Sequence, residues 1–477
     1  MKRLFLGPLA AALFLAGCAS LAPDYERPAM PVGSNWPQGP AYRAMDTSAV
    51  GTPAADITWQ QFIIDDRLRQ VVETALNNNR DLRVALLNIE RARAQYGVQR
   101  AETLPSIGVS GSGAAQRVPA DLSPTGQEGI TRQYSAGVGI SAYELDLFGR
   151  VRSLKDEALQ RYLATQEAHK TVHIALVAEV ANAWLSLAAD QERLDLARRT
   201  LDSQQQSYAL TRRSQELGAA SMLDLRQAQT LVESARVDVA RFTSHIAQDR
   251  NALELLVGSR LPDSLLPAGQ GDGAATLSEL RASLPSDVLQ SRPDVVRAER
   301  LLQAANANIG AARAAFFPRI ALTASAGTAS NALGSLFDGG TGFWSFLPQL
   351  DLPIFDGGRN RANLKISEAD RDIALAEYEK SVQVAFREVA DALAERGTLG
   401  EQLDAQRDLV DASEHNKALA DARYRSGVDS YLNVLDAQRN LYAAQQELIT
   451  LRLANSSNHV ALYKALGGGW KSGPETL

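Results

Sequence analysis

Residues 150–258 lie over residues 359–467 at a constant offset of 209, with no gap. Arg150 falls on Arg359, Glu179-Val180-Ala181 on Glu388-Val389-Ala390, and Gly218 on Gly427. Ala228-Gln229 falls on Ala437-Gln438, and Gly258 on Gly467. A second register, offset 213, sets Asp81 on Asp294, Gly97 on Gly310, Arg100-Ala101 on Arg313-Ala314 and Pro105 on Pro318. The chain is one unit written twice, and each copy should supply the same element to a pseudo-symmetric assembly.

Each copy carries two textures. In the first copy Ile107, Val109, Gly111 and Gly113 alternate with Ser106, Gly108, Ser110 and Ser112. Past a loop with Pro119, Pro124, Gly126 and Gly129, Tyr134, Ala136, Val138, Ile140 and Ala142 alternate with Ser135, Gly137, Gly139 and Ser141. The second copy repeats this with Ile320, Leu322, Ala324 and Ala326, then with Phe343 to Phe355. Period two with small polar residues opposite apolar ones predicts strands at about 105–117, 130–147, 318–330 and 342–356. Segments of about 10–13 residues match tilted transmembrane strands, although a soluble hairpin would be as rich in Gly and Ser. Tyr134, Phe343, Trp344 and Phe346 are expected to form an aromatic girdle. Four strands cannot close a barrel in lipid, where an open edge leaves backbone groups unsatisfied. The chain must therefore pool strands with copies of itself. Two copies give eight strands and three give twelve, and sequence physics alone does not choose between them.

The second texture is helical. Asn78 or Asn79 is placed to cap a helix running to about Thr103, and Pro105 stops it. Long helices are predicted at about 150–217 and 221–258, and again at about 359–426 and 430–467. The first has neither proline nor glycine and would span roughly 100 Å at 1.5 Å per residue. Ala228, Val232, Ala235, Val239, Phe242 and Ile246 follow a 4, 3, 4, 3, 4 spacing, a heptad seam with small core residues. A tube requires such lengths; a globule does not. Repeat 1 is assigned to 61–270, repeat 2 to 271–470, and 471–477 is a tail.

The N-terminus carries an export address. Lys2-Arg3 precede the short apolar run Leu4 to Ala16, and Leu15-Ala16-Gly17-Cys18 follows. Residues 1–17 read as a cleaved lipoprotein signal, with Cys18, the one cysteine of the chain, lipidated at the new N-terminus. Residues 18–60 hold Pro23, Pro28, Pro31, Pro37, Pro40 and Pro53 and are expected to form an extended tether, not a packed element. No later run of about 18 apolar residues predicts a transmembrane helix.

Several function classes fall away. A net charge of −6 gives no basic stripe for nucleic acid. A single cysteine allows neither a disulfide framework nor a thiolate metal site. His169 and His173 are four apart, but no carboxylate sits at a catalytic zinc spacing, so no metal is expected. No phosphate-cradling loop or nucleophile elbow is present. The chain reads as no enzyme, and needs no cofactor beyond the covalent lipid.

Asn78-Asn79-Arg80-Asp81-Leu82-Arg83-Val84-Ala85 and Tyr143-Glu144-Leu145-Asp146-Leu147-Phe148-Gly149-Arg150 resemble signature segments of the outer membrane factor (TolC-like) family. So do Arg292-Pro293-Asp294-Val295, Gly310 to Pro318, Leu352-Pro353-Ile354-Phe355 and Lys464 to Trp470. The resemblance runs from Cys18 to Trp470 and is closest to the OprM-type lipoprotein branch. It implies a mainly α fold with membrane β: a homotrimer forming a 12-stranded outer-membrane barrel and a periplasmic α-barrel. It further implies a periplasmic adaptor and an inner-membrane pump of the resistance-nodulation-division class as partners. The function implied is a passive exit duct for drugs and other toxic compounds across the periplasm and outer membrane. A duct for metal ions or other small molecules, or a periplasm-spanning lipoprotein without a channel, are the competing readings.

The hairpin tips carry the candidate gate. Gly218 and Gly427 suit left-handed helix ends, and Ser221 with Asp224 forms a capping-box pattern. Asp429 and Ser430 complete the second turn, and the two turns are the expected adaptor contact. The copies differ where Glu216 corresponds to Arg425, Gln215 to Tyr424, Met222 to Tyr431 and Gln227 to Asp436. Arg425 is expected to reach a neighbouring helix through Glu216. The resemblance implies that Leu432 and Asp436, four apart on one face, narrow the lumen as apolar and acidic rings with Tyr424 and Arg425 beside them. The plain alternative is that Asp436 is a solvated helix charge.

Overall fold

The computed structural model of the chain describes residues 20–42, 57–124, 126–269, 277–278 and 286–468. The expected signal peptide, Cys18 and the tail, with Trp470, lie outside the described residues. Among the described residues the order is α1 (Trp59–Phe62), α2 (Asp66–Asn78), α3 (Arg80–Ala101), β1 (Ile107–Val118), β2 (Gly129–Leu145), α4 (Arg150–Glu216) and α5 (Met222–Val257). The second copy follows as α6 (Pro293–Ala314), β3 (Arg319–Ser330), β4 (Gly342–Asp351), α7 (Arg359–Arg425) and α8 (Tyr431–Ala465). The compact units are not the repeats. One comprises Met1–Ala29, Asn88–Gln166 and Arg297–Tyr378; the other comprises Met30–Leu87, Glu167–Val296 and Glu379–Leu477. Each unit takes pieces of both copies.

The first unit holds an antiparallel sheet of four strands in the order β1-β2-β3-β4. Residues paired across a ladder point to the same face. One row is Val109, Val138, Ala326 and Trp344; the next is Ile107, Ile140, Ala324 and Phe346. Between them run Gly108, Gly139, Ser325 and Ser345, on the other face. Around these rows the register gathers Val, Ile, Ala, Trp and Phe side chains on one face and Gly and Ser on the other, although Leu347 of β4 lies on the Gly/Ser face. Hydroxyl pairs stitch the polar face: Ser112 with Ser135 at 2.8 Å and Ser325 with Ser345 at 2.7 Å.

Two expectations for these strands change. A bulge between Ile140 and Tyr143 leaves Ala142 at φ 51°, with its N–H donated to the Thr323 hydroxyl at 3.2 Å. The extra residue breaks the alternation at Ala142 and keeps Tyr143 and Leu145 on the apolar face, opposite Leu322 and Ile320. Phe343 pairs with Gly327 and faces away from Trp344 and Phe346, so it stands outside an aromatic belt on the apolar face. At the base of the polar face Glu144 accepts a fork from Arg150 (2.8 and 2.8 Å) and a further bond from Arg319 (2.7 Å).

Also in this unit, residues 21–27 prove to be docked, so this stretch of the expected tether is a packed element after all. Arg27 forks onto Glu299 at 2.8 and 2.7 Å, and the Tyr25 hydroxyl donates to the same carboxylate at 3.1 Å. Asn306 and Arg313 donate to the backbone carbonyls of Pro23 and Leu21. Gly310 lets the strap pass: a Cβ there would lie 2.6 Å from Ser153 Oγ and 2.7 Å from the Ala22 nitrogen. The segment is extended, as its prolines require, but it is held along α6.

The second unit is helical. Part of α4 is long and apolar enough to cross a bilayer by composition, yet Val177, Val180, Trp184 and Leu187 within it are buried in this unit. The heptad seam of α5 is buried at Ala228, Val232, Ala235 and Phe242. Asp65 caps α2 by accepting from the backbone nitrogens of Arg67 and Leu68. The duplication survives in the bonds that close each return helix. Asn79 donates to the Leu256 carbonyl at 2.8 Å, and Arg292 donates to the Ala465 carbonyl at 2.6 Å. Leu256 and Ala465 are 209 apart, and Asn79 and Arg292 are 213 apart, the two offsets of the repeat. Each donor satisfies a helix-end carbonyl that has no partner within its own helix.

Candidate gate at the hairpin tips

The turns between α4 and α5 and between α7 and α8 close with the same bonds. The Gly218 nitrogen donates to the Gln215 carbonyl and that of Ala219 to Ser214; the Gly427 nitrogen donates to Tyr424 and that of Val428 to Arg423. Gly218 (φ 76°) and Gly427 (φ 71°) supply the left-handed residue that this closure needs. Beyond the turns the copies diverge. Ser221 accepts from the Asp224 nitrogen at 3.1 Å and donates its own N–H to Asp224 Oδ2 at 3.0 Å, forming the anticipated capping box. Ser430 occupies the cap position without a side-chain bond, since Asn433 stands where the carboxylate would be. The second turn is held instead by Arg423, whose Nε and Nη2 bond Asp429 at 2.6 and 3.1 Å. That guanidinium holds the Asp429 carboxyl below its ordinary pKa. Arg423 was no candidate in the sequence; its spacing of six from Asp429 across a glycine turn was the available signal.

Tyr424 packs on Tyr431 with ring centroids 5.1 Å apart. Tyr431 is buried with Ala228, Ala420 and Val434, while its first-copy counterpart Met222 is exposed. The tip difference seen in the sequence is therefore a packing difference: one tip inserts an aromatic ring where the other presents a thioether. The expected Arg425–Glu216 pair is not formed. Glu216 is bonded by Arg212 one turn earlier at 3.0 Å, and Arg425 makes no ion pair among the described residues.

Leu432 and Asp436 lie on one exposed face of α8, and Asp436 is bonded by Arg439 of the same helix. With Asn416, Arg423, Asp429 and Asn433, Asp436 lines a cavity of about 410 Å³. The arrangement presents one apolar and one partly neutralised acidic side chain per chain. His169 and His173 hold no such position. Burial pushes His173 down to about 4 and His169 downward as well, so both are neutral side chains of α4. No group of three metal-ligating side chains exists among the described residues.

A two-copy chain with a face-sorted four-stranded sheet and paired long-helix hairpins defines a class of envelope channel. The sequence profile of the family described as "Outer membrane efflux protein" matches residues 71–259 and 284–468, and the chain belongs to that family. It is 54% identical over 462 residues to a probable efflux pump outer membrane protein, TtgC, of Pseudomonas putida, covering 97% of this chain and 95% of the relative. It is 48% identical over 462 residues to the outer membrane protein OprJ of Pseudomonas aeruginosa, with the same coverage of 97% and 95%. Among solved structures it resembles a membrane protein from Pseudomonas aeruginosa (TM-score 0.88, 47% identity, 95% and 98% covered). It also resembles the open state of the MtrE outer membrane channel of Neisseria gonorrhoeae (TM-score 0.86, 38% identity, 95% and 99% covered). The protein is an outer-membrane channel component of an efflux pump, and not an enzyme.

Proposed function

We propose that three copies of this chain build the exit duct of a tripartite multidrug efflux pump. The observation that carries this reading is the sheet: four strands with one largely apolar face, one face rich in Gly and Ser, and two free edges. In lipid those edges must be paired, and three copies supply twelve strands, enough for a water-filled bore. The long hairpins then line the periplasmic part of the duct and dock their tips on an adaptor joined to an inner-membrane pump of the resistance-nodulation-division class. Relatives at 54% and 52% identity are named as toluene efflux pump outer membrane proteins, and another at 54% as an antibiotic efflux pump outer membrane protein. Organic solvents and antibiotics are accordingly the cargo proposed here. Cys18 carries the lipid that adds a second hold on the membrane. Leu432 and Asp436 form the narrowest rings, with Tyr424 and Arg425 behind them; three carboxylates near one axis favour cations.

Purified protein in planar bilayers tests this. Leu432→Ala with Asp436→Ala should raise single-channel conductance, and Asp436→Asn alone should reduce cation preference. Unchanged conductance and selectivity in both would place the constriction elsewhere. A protein that never conducts would remove the duct.

A further inference from the structure

Part-way along α4, short of the tip, a carboxyl pair joins the two helices of the first hairpin. Asp190 of α4 is buried, and its Oδ1 accepts from Arg193 Nη1 at 2.6 Å. From α5, His245 Nδ1 stands 3.4 Å from Asp190 Oδ2, and Asp249 lies beside the same carboxylate. Asp249 Oδ2 is buried with no hydrogen-bond partner. Arg193 is shared, because its Nη2 donates to the Thr450 hydroxyl of α8 at 3.0 Å. One guanidinium therefore ties the carboxyl pair of the first hairpin to the second. The charged and titratable groups facing Asp249 are Asp190, Arg193 and His245. From α8 the facing group is the neutral Thr450, and Arg452 of that helix bonds Glu192 of α4 at 3.2 Å.

The second copy shows that this helix crossing does not need the pair. At offset 209, Leu399 stands for Asp190, Gln402 for Arg193, Ala454 for His245 and Asn458 for Asp249. Leu399 and Asn458 are buried, and Asn458 donates to the Ala392 carbonyl and the Glu395 carboxylate at 2.9 Å each. A leucine and an amide fill the same two places without a carboxyl in either. Two carboxyl groups in contact resist ionising together, and burial adds to that resistance. Burial first, then the Asp190 charge, push Asp249 up to about 6, with His245 and Arg193 pulling the other way. Below that pH the folded chain keeps the proton; above it the proton passes to solvent.

We propose that Asp190 and Asp249 share one proton, and that its loss draws Arg193 off Thr450 and slackens the seam between the two hairpins. With the proton in place, Asp249 donates its O–H to Asp190 and leaves Arg193 Nη2 to Thr450. With the proton gone, Asp249 is a second carboxylate with a buried oxygen that lacks a donor. Arg193 Nη2 then chooses between a neutral hydroxyl and a carboxylate, and the bond between two ionised groups is the stronger. Other bonds between the hairpins use neither carboxyl of the pair: Arg452 to Glu192, Tyr442 to Asp238 at 3.0 Å and Gln204 to Gln438 at 3.1 Å. The seam therefore loosens at Arg193 without parting. It is tight in acid and slack toward neutral pH. Its effect on the bore rests on the duct proposed above; the change of partner at Arg193 does not.

Infrared difference spectra of the full-length protein in lipid test the proton. The wild type should lose a protonated-carboxyl band as pH rises through about 6, and Asp249→Asn should lack that transition. Hydrogen exchange of residues 446–452 in α8, referred to model-peptide rates at each pH, tests the change of partner. It should speed up several-fold over the same interval in the wild type and stay slow in Asp249→Asn. Thr450→Val should keep the infrared transition and exchange fast at both ends of the interval, and His245→Gln should keep both transitions. Wild-type exchange that ignores pH, or an equal change in Asp249→Asn, would overturn the switch. Loss of the transition in His245→Gln would overturn it too, by assigning it to the histidine. In planar bilayers, with the tip carboxylate removed by Asp436→Asn, conductance should rise over the same interval. A conductance that ignores pH in that background would overturn the effect on the bore. A protein that conducts at no pH would remove the duct, and the exchange result would still decide the switch.

Discussion

Arg292 is the side chain whose loss should cost this fold most outside its apolar core. It is buried, and it spends four bonds: Nε and Nη2 on Asp294 (3.0 and 2.7 Å), Nη2 on Glu388 (2.7 Å) and Nη1 on the Ala465 carbonyl (2.6 Å). Breaking a buried charge pair by removing one partner costs about 3–5 kcal/mol. Asp294 and Glu388 remain partly open to water, so Arg292→Met should fall near the lower end, at about 3 kcal/mol. Asn79 does the same work in copy one with uncharged bonds, one to the Leu256 carbonyl and one accepted from the Leu82 nitrogen. Losing a cap and one neutral hydrogen bond costs about 2 kcal/mol together. Urea titration of the helical circular-dichroism signal in detergent should therefore rank Arg292→Met below Asn79→Ala, and both below the wild type. If Arg292→Met costs no more than Asn79→Ala, the charge adds nothing to the repeated closure and the reasoning fails.

A Cβ at Gly310 would strike Ser153 and Ala22, so Gly310→Val should free the N-terminal strap and expose Tyr25 to chymotrypsin; wild-type resistance in the variant would refute the clamp. Asp249 lies beside Asp190, and burial first, then that carboxylate, push it up to about 6. The folded chain thus holds a proton that the unfolded chain has released, so stability should fall as pH rises from about 4 to about 6. Asp249→Asn should flatten that fall and, after allowing for the partial exposure of the group, gain about 1 kcal/mol above pH 6 in urea titrations; an unchanged slope would count against it. Arg423→Ala should speed hydrogen exchange at Ser426 to Ser430 and leave Ala219 to Met222 as before, because only the second tip lacks a side-chain cap. Equal exchange at the second tip in variant and wild type would show that the fork onto Asp429 does not hold the turn.

What the sequence made legible was whatever repeats at a fixed spacing. Gly218 and Gly427 mark the same turn in both copies, while the capping box at Ser221 and the α5 seam are local patterns legible within one copy. The apolar face of the sheet was readable for the same reason, until Ala142. There the side-chain alternation continues in the letters while the backbone inserts a residue, which only the pairing partner Thr323 reveals. Phe343 was misplaced by chemistry: its ring suggested a belt that its parity in β4 forbids. The strap was invisible because Arg27 and Glu299 are 272 residues apart, a separation that no periodicity encodes.

The tips show a different limit. Comparing copies located the residues that differ, but difference does not say which partner each one finds. Glu216 had Arg212 one turn away on its own helix, and a bond at that spacing forms at little entropic cost compared with one reaching another helix. Arg423 won Asp429 in the same way, across a turn already closed by Gly427. Arg425 has no ion pair among the described residues, on the copy that has buried Tyr431. A charge left open where the hydrogen bonding of its own turn is complete is available to a neighbouring copy or to an adaptor. In the gate proposed above, the difference between the copies extends from Leu432 and Asp436 on the face of α8 to the exposed Arg425.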